Sequence, residues 1–286
     1  MEIITEKEKK RAPANADQRA ARIGDAFRPL EPLPSNIYTA TLLISIAIIM
    51  CIWAVVSYSG IVRPAFFLPT PTQTLITGIQ MVQSGELYQN AEASLIIILS
   101  GWAIAAVVSI PVGILMGTYK IVEAFLEPPI DFMRYLPISA LIPLLILWVG
   151  IDEKEKITVI FLGTFFQLVL IVADVASHVS KDLLDSAYTL GVSRWRVLTT
   201  VLIPATLPGV MDALRITLGW AWTYLIVAEL IAADHGLGVM IMESERGFRT
   251  DKIFVGLVTI GLLGFISDFI FKWLHPRLLP WSPRLH

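Results

Sequence analysis

The stretch DSAYTLGVSRWRVLTTVLIPATLPG, residues 185–209, joins two long apolar runs, yet it is ordered in a way that a plain connection is not. Residues 181–190 are good helix formers with apolar Leu183, Leu184, Ala187 and Leu190, and Ser180 stands at the capping position before them. Gly191 supplies the left-handed residue that ends such a helix. Ser193 then opens a second helix through Arg194, Trp195, Arg196 and Leu198, expected to end or kink near Pro204. The pattern predicts a helix, a glycine turn and a helix. Small Ser186 and Ala187 would admit another protein's surface closely, while Asp185 offers a charge to a partner arginine or a cap to local amides.

The flanking sequence fixes where this passage lies. The 286 residues are 55% hydrophobic and 16% charged, with a mean hydropathy of +0.69, which places the chain among membrane proteins. A hydrocarbon core of about 30 Å needs roughly 20 apolar residues as helix. Six stretches qualify: 38–59, 93–118, 135–149, 157–173, 212–233 and 253–271. The third is interrupted by Pro137 and Pro143, so it is expected to be bent and internal, where neighbours satisfy the freed carbonyls. The fold class is therefore all-α, polytopic, with six transmembrane helices. Sixteen of the 22 Lys and Arg residues fall on the side of the two termini and six on the other, which puts both termini, and residues 185–209, in the cytoplasm.

An N-terminal cytoplasmic arm is expected over 1–36, a six-helix membrane domain over 37–275 with its cytoplasmic loop at 178–209, and a cytoplasmic tail over 276–286. The charged start predicts no secretory signal. Within the arm, Ala16, Ala20, Ile23 and Phe27 recur at helical spacing and suit a helix in the membrane interface, with an unstructured leader as the alternative. After Pro71, Leu75, Ile79 and Val82 suggest a second interfacial helix on the outer side.

Catalytic patterns do not occur. There is no GxxxxGK[ST] to cradle ATP phosphates, no HExxH, no GxSxG, and the four histidines are scattered, so no metal site and no enzyme activity are expected. Cys51 lies in an apolar run and reads as packing. Asp152, Glu153 and Glu155 alternate with Lys154 and Lys156 in an outer loop and read as a solvated cluster.

Candidate path residues come from polar groups inside spans. Thr164 and Gln167 share a face with Ile160, Ile171 and Asp174, and an amide in hydrocarbon costs a few kcal/mol unless paired, so Gln167 faces either a cavity or another helix. Thr217, Trp220 and Tyr224 form a stripe offering a hydroxyl, an indole and a phenol, with aromatic packing as the alternative. Ser139 lies between the two prolines of the third span. Glu229, about one turn from the outer boundary, is a candidate outer gate or a cap for the turn leading to HGLG. Ser109, Gly113 and Gly117 form a small-residue stripe for helix packing. No Lys or Arg lies deep in a span, so a crossing anion would meet hydroxyls, amides and helix-end dipoles.

The passage over 185–209 resembles the EAA loop of ABC importer permeases: Asp185, Ser186 and Ala187 stand for Glu-Ala-Ala, Gly191 has the required spacing, and Val201, Ile203 and Pro204 stand for the closing Ile-x-Leu-Pro. The likeness extends over FFLPTPTQ, RYLPISALIPLLILWVGI, GLGVMI and DKIFVGLVTIGLLGFISD to the nitrate, sulfonate, taurine and bicarbonate branch of such permeases. It departs at Ile97, where that branch often has arginine, and at Arg134-Tyr-Leu-Pro-Ile in place of Arg-Pro-Ile-Pro-Pro. The resemblance implies the type I importer permease fold and a coupling loop made of Asp185, Ser186, Ala187, Gly191, Arg194 and Pro204. It also implies two cytoplasmic ATPase subunits that hold ATP and Mg, a second permease copy, an external solute-binding protein, and a place in the bacterial inner membrane. No cofactor is expected on this chain and no nucleic acid among its partners. The expected function is import of a small oxyanion by alternating access. The alternatives are an ion-gradient-driven transporter, for which no embedded relay or inverted repeat is evident, and an importer of an uncharged or cationic organic solute.

Overall fold

The computed structural model describes residues 35–62, 67–230 and 235–282. The interfacial helix expected in the arm before residue 34 lies outside them. The chain divides into two units, Met1–Ile61 and Val62–His286. The first contributes α1 (Ser35–Tyr58), which has no buried residue and is apolar all round, as a span facing lipid requires.

The second unit is helical throughout its described residues. It begins with α2 (Pro71–Ser84), stopped by Gly85 in the left-handed conformation, and α3 (Glu86–Thr118). A capping box starts α2: Thr70 accepts from the Gln73 amide and the Gln73 side chain returns to the Thr70 amide. The face of α2 turned to the protein carries Thr74, Thr77 and Met81, while Leu75, Ile79 and Val82 are exposed, the reverse of a soluble surface helix. That orientation agrees with the interfacial helix expected there.

Two short helices follow, α4 (Lys120–Arg134) and α5 (Ile138–Val149), crossing at 98°. α4 falls outside the six expected spans because Pro128, Pro129 and its charges interrupt any apolar run. At 1.5 Å per residue, the 12 residues of α5 reach only about 18 Å, short of the hydrocarbon core, so the expected third span is a bent pair in which α4 runs nearly across α5. Nor is α5 internal: Ile142 and Leu145 are buried, but Trp148 is 74% exposed. The break falls at residues 135–137, and Pro143 is carried inside the helix.

The core of the unit is α6 (Glu153–Ser177) packed on α3 and on α9 (Ile203–Glu229). A small residue recurs every fourth position along α3, at Gly101, Ala105, Ser109, Gly113 and Gly117. A methyl group on Gly113 would stand 2.7 Å from the Val169 carbonyl oxygen, and one on Gly101 would stand 2.8 Å from that of Ile157. Backbone contact of this kind needs small side chains and substitutes for the absent hydrophobic drive between helices in lipid. Ser109 adds a hydrogen bond to the Phe165 carbonyl at 3.2 Å. The stripe read as helix packing is thus longer than its three expected members.

On the cytoplasmic side of the expected topology, α7 (Lys181–Thr189) leads through Gly191 to α8 (Arg194–Val197). A π turn at Leu198–Leu202 joins α8 to α9 without a break, giving one rod over Arg194–Glu229. Pro204 therefore neither ends nor sharply kinks the helix. The wider π turn before it accommodates a ring that would strike the carbonyl four residues back in a regular helix. The unit closes with α10 (Leu237–Arg246) and α11 (Thr250–Leu278), which runs past the expected boundary at 275. Arg215 of α9 pairs with Asp268 of α11, and Lys272 reaches the same carboxylate at 3.2 Å.

Candidate functional site

The first site is the projection between α6 and α9. Gly191 adopts φ +76°. The Val192 amide donates to the Ala187 carbonyl at 3.1 Å and the Gly191 amide donates to that of Tyr188 at 2.9 Å, the paired bonds of a Schellman ending. Those bonds satisfy the last carbonyls of α7 and turn the chain back into α8. Ser180 and Ser193 occupy the caps, but neither side chain bonds the helix it precedes. Leu184 packs on a core formed by Leu198, Leu202 and Val210.

This anchoring determines what the projection shows to the outside. Asp185, Ser186, Gly191 and Arg194 are exposed, as are the apolar Leu183, Tyr188, Leu190 and Trp195. Leu190 is 83% exposed. Ala187 is instead buried against the chain's own helices, so its smallness serves internal packing and only Ser186 is left to admit another surface. Pro204 is half-buried at the start of α9. Leu183 and Leu190 were expected as apolar positions of the first helix and Trp195 as part of the second, and Tyr188 was not singled out.

The second site is a cavity of about 230 Å³ where α5 begins, walled by α6 and α9. Gln167 and Tyr224 line it together, with Gly163 between them: a methyl group there would meet the Tyr224 ring at 2.7 Å. Arg134 lines it as well, a residue left out of the candidate path because of its position near a span end. The helix break thus brings Arg134 to the wall of the cavity that Gln167 lines.

The other path candidates lie elsewhere. Thr164 is fully buried and donates to the Ile160 carbonyl at 2.7 Å. Thr217 is likewise fully buried, donates to the Ala213 carbonyl at 2.8 Å and accepts from Trp102 Nε1 at 3.3 Å. Both hydroxyls are spent on backbone carbonyls within the helix packing, and neither lines the cavity that holds Gln167. Trp220 and Ser139 are exposed, and neither lines the cavity that Gln167 and Tyr224 share.

Glu229 sits in a buried knot. Its carboxylate accepts from Ser94 Oγ at 2.6 Å and from the Gly238 amide at 2.7 Å, at the start of α10. The Leu237 amide donates to Ser94 Oγ at 2.9 Å, and the Gly236 amide donates to Asn90 Oδ1 at the same distance. Gly236, at φ +145°, leaves room that a methyl group would contest 2.5 Å from the Glu229 carboxyl carbon. The geometry is that of a carboxylate capping a helix N-terminus.

Comparison with known proteins places these features. The family model for the binding-protein-dependent transport system inner membrane component matches residues 109–280. The taurine transport system permease protein TauC of Escherichia coli (strain K12) is 35% identical over 242 residues, covering 83% of this chain and 88% of TauC. A putative aliphatic sulfonates transport permease protein, SsuC of Bacillus subtilis (strain 168), is 34% identical over 235 residues, covering 82% of this chain and 85% of SsuC. Among solved structures, a chain of the inward-facing MetNI methionine ABC transporter superposes with a TM-score of 0.55 at 19% identity, covering 67% of this chain and 97% of that one. The chain accordingly shares a known fold over two thirds of its length, and it is a member of the family of binding-protein-dependent transport system inner membrane components, the permeases of ABC importers, in the branch that holds the sulfonate and taurine permeases.

Proposed function

We propose that this chain is the membrane half of an ATP-driven importer for a small oxyanion, a sulfonate or taurine in preference to nitrate or bicarbonate, working by alternating access. The observation that carries the reading is the projection over 181–202, whose exposed Leu183, Tyr188, Leu190 and Trp195 are held out from the membrane unit by a glycine turn. An apolar set on a cytoplasmic turn has no use for lipid, and it suits the cleft of a soluble partner. Two ATPase subunits, each binding ATP and Mg, grip this projection in two permease copies. Their closure turns the path outward to take solute from an external binding protein. Both termini lie in the cytoplasm of a bacterial cell, and the ATP chemistry belongs to the partner. Relatives named for taurine and aliphatic sulfonates support the choice of solute. Family membership favours ATP over an ion gradient as the energy source.

The test is co-purification of the full chain with the ATPase subunit encoded beside it, followed by uptake into proteoliposomes. Gly191→Val is expected to lower ATP-dependent uptake of taurine more than tenfold. Failure of any ATPase to associate, or uptake unchanged in Gly191→Val, would overturn the reading.

A further inference from the structure

The cavity at the start of α5 gathers hydrogen-bond donors without a carboxylate. Arg134, Gln167 and Tyr224 are its polar side chains, and Leu136, Leu162 and Phe166 supply apolar wall. Among the described residues no Asp or Glu lines it. The first turn of α5 opens at the same place, behind Pro137, with no side chain capping its amides. A half-helix that begins inside a membrane protein directs its positive end at whatever occupies the gap.

The guanidinium is fixed in place. Arg134 Nη2 donates to the Tyr135 hydroxyl at 3.1 Å and the group lies 4.9 Å above the Tyr135 ring centre. Its Nε stands 3.0 Å from Asp131 Oδ1 but makes no aligned hydrogen bond, so donor capacity remains. Asp131 belongs to a neighbouring cavity of about 260 Å³, lined also by Glu123, Glu127 and Asp174. Arg134 lines both spaces. One side of it is acidic and the other holds side chains able to donate and no carboxylate.

We propose that the donor-lined cavity is an oxyanion subsite of the solute path, taking a sulfonate-type headgroup on Arg134, Gln167, Tyr224 and the open start of α5. A sulfonate has three acceptor oxygens and no donor, matching a guanidinium, an amide and a phenol that all donate. The acidic neighbour repels the same group, so the subsite holds an anion on one side of Arg134 only. The assignment rests on the importer reading above, and gives it a solute class and a place in the chain.

The experiment is equilibrium binding of radiolabelled ethanesulfonate to the full chain in phosphatidylcholine nanodiscs, with ATPase co-purification scored on the same preparations. Ethanesulfonate is expected to bind and to be displaced by unlabelled taurine but not by the uncharged ethyl methyl sulfone. Arg134→Gln should weaken binding about tenfold or more, because a charge-assisted bond is lost. Gln167→Leu and Tyr224→Phe should each cost about fivefold, the worth of one neutral hydrogen bond. Lys120→Gln, a nearby cation outside the cavity, should bind as the unaltered chain does. Equal binding by all variants, displacement by the sulfone, or no binding by a chain that does carry its ATPase would each overturn the subsite and leave the importer reading standing. Binding abolished by phosphatidylglycerol in the discs would give the cavity to a lipid headgroup and overturn the solute assignment. Binding that persists where no ATPase associates would keep the subsite and remove the importer.

Discussion

Two residues show how differently a single position can matter. Around Gly191 nothing lies within 4 Å of an added methyl group, so a larger residue there meets no clash. Its cost is the left-handed backbone alone, about 1–2 kcal/mol for a side chain that resists that conformation. Asn tolerates the conformation, so Gly191→Asn is expected to keep most of the uptake that Gly191→Val loses and to show the higher thermal midpoint of the two. Glu229 is the opposite case, since its cost is chemical. Glu229→Ala strands the Ser94 hydroxyl and the Gly238 amide in a buried space and should destabilise the chain by about 2–4 kcal/mol in nanodisc unfolding, where Glu229→Gln, which still offers one acceptor, should cost about half as much.

Between elements, the α3 to α6 contact supplies a matched pair of tests. Gly113→Ala drives a methyl group against the Val169 backbone and should cost about 1–3 kcal/mol. Gly219→Ala, in α9 with open space around it, should stabilise by up to about 1 kcal/mol through helix propensity. Denaturant titration of both variants in detergent checks the contrast. The small stripe on α3 was legible in sequence because four-residue spacing survives without knowledge of the partner helix. So was the glycine turn at 191, whose conformation follows from the residue. What hid α4 was the presence of two prolines and five charged residues in a helix whose polar face lines a cavity, which no apolar period can announce. The same break hid Arg134. Distance along the chain placed it at a span end, and only the 98° bend brings it beside Gln167. Thr164 and Thr217 misled for a different reason: a hydroxyl in a membrane helix can satisfy itself on the carbonyl four residues back, so its presence says nothing of a wet path.

Within the larger unit, the glycine-turned projection and the donor-lined cavity sit on one continuous element. The rod over Arg194–Glu229 holds Trp195 near one end and Tyr224 near the other, a separation of about 43 Å at helical rise. Motion at the projection therefore has a stiff route to the cavity wall. The π turn at Leu198–Leu202 is what lets that route pass Pro204. A π turn carries one residue more than a regular turn and is wider by that residue. Deleting Thr200 should close the π turn to a regular one, in which the Pro204 ring strikes the carbonyl four residues back, at a cost of about 3 kcal/mol. Such a variant is expected to unfold at lower denaturant than the unaltered chain in nanodiscs, and adding Pro204→Ala should restore most of the loss. The π turn is, in that sense, an expansion joint: it lets one rod run unbroken past a residue that would otherwise break it.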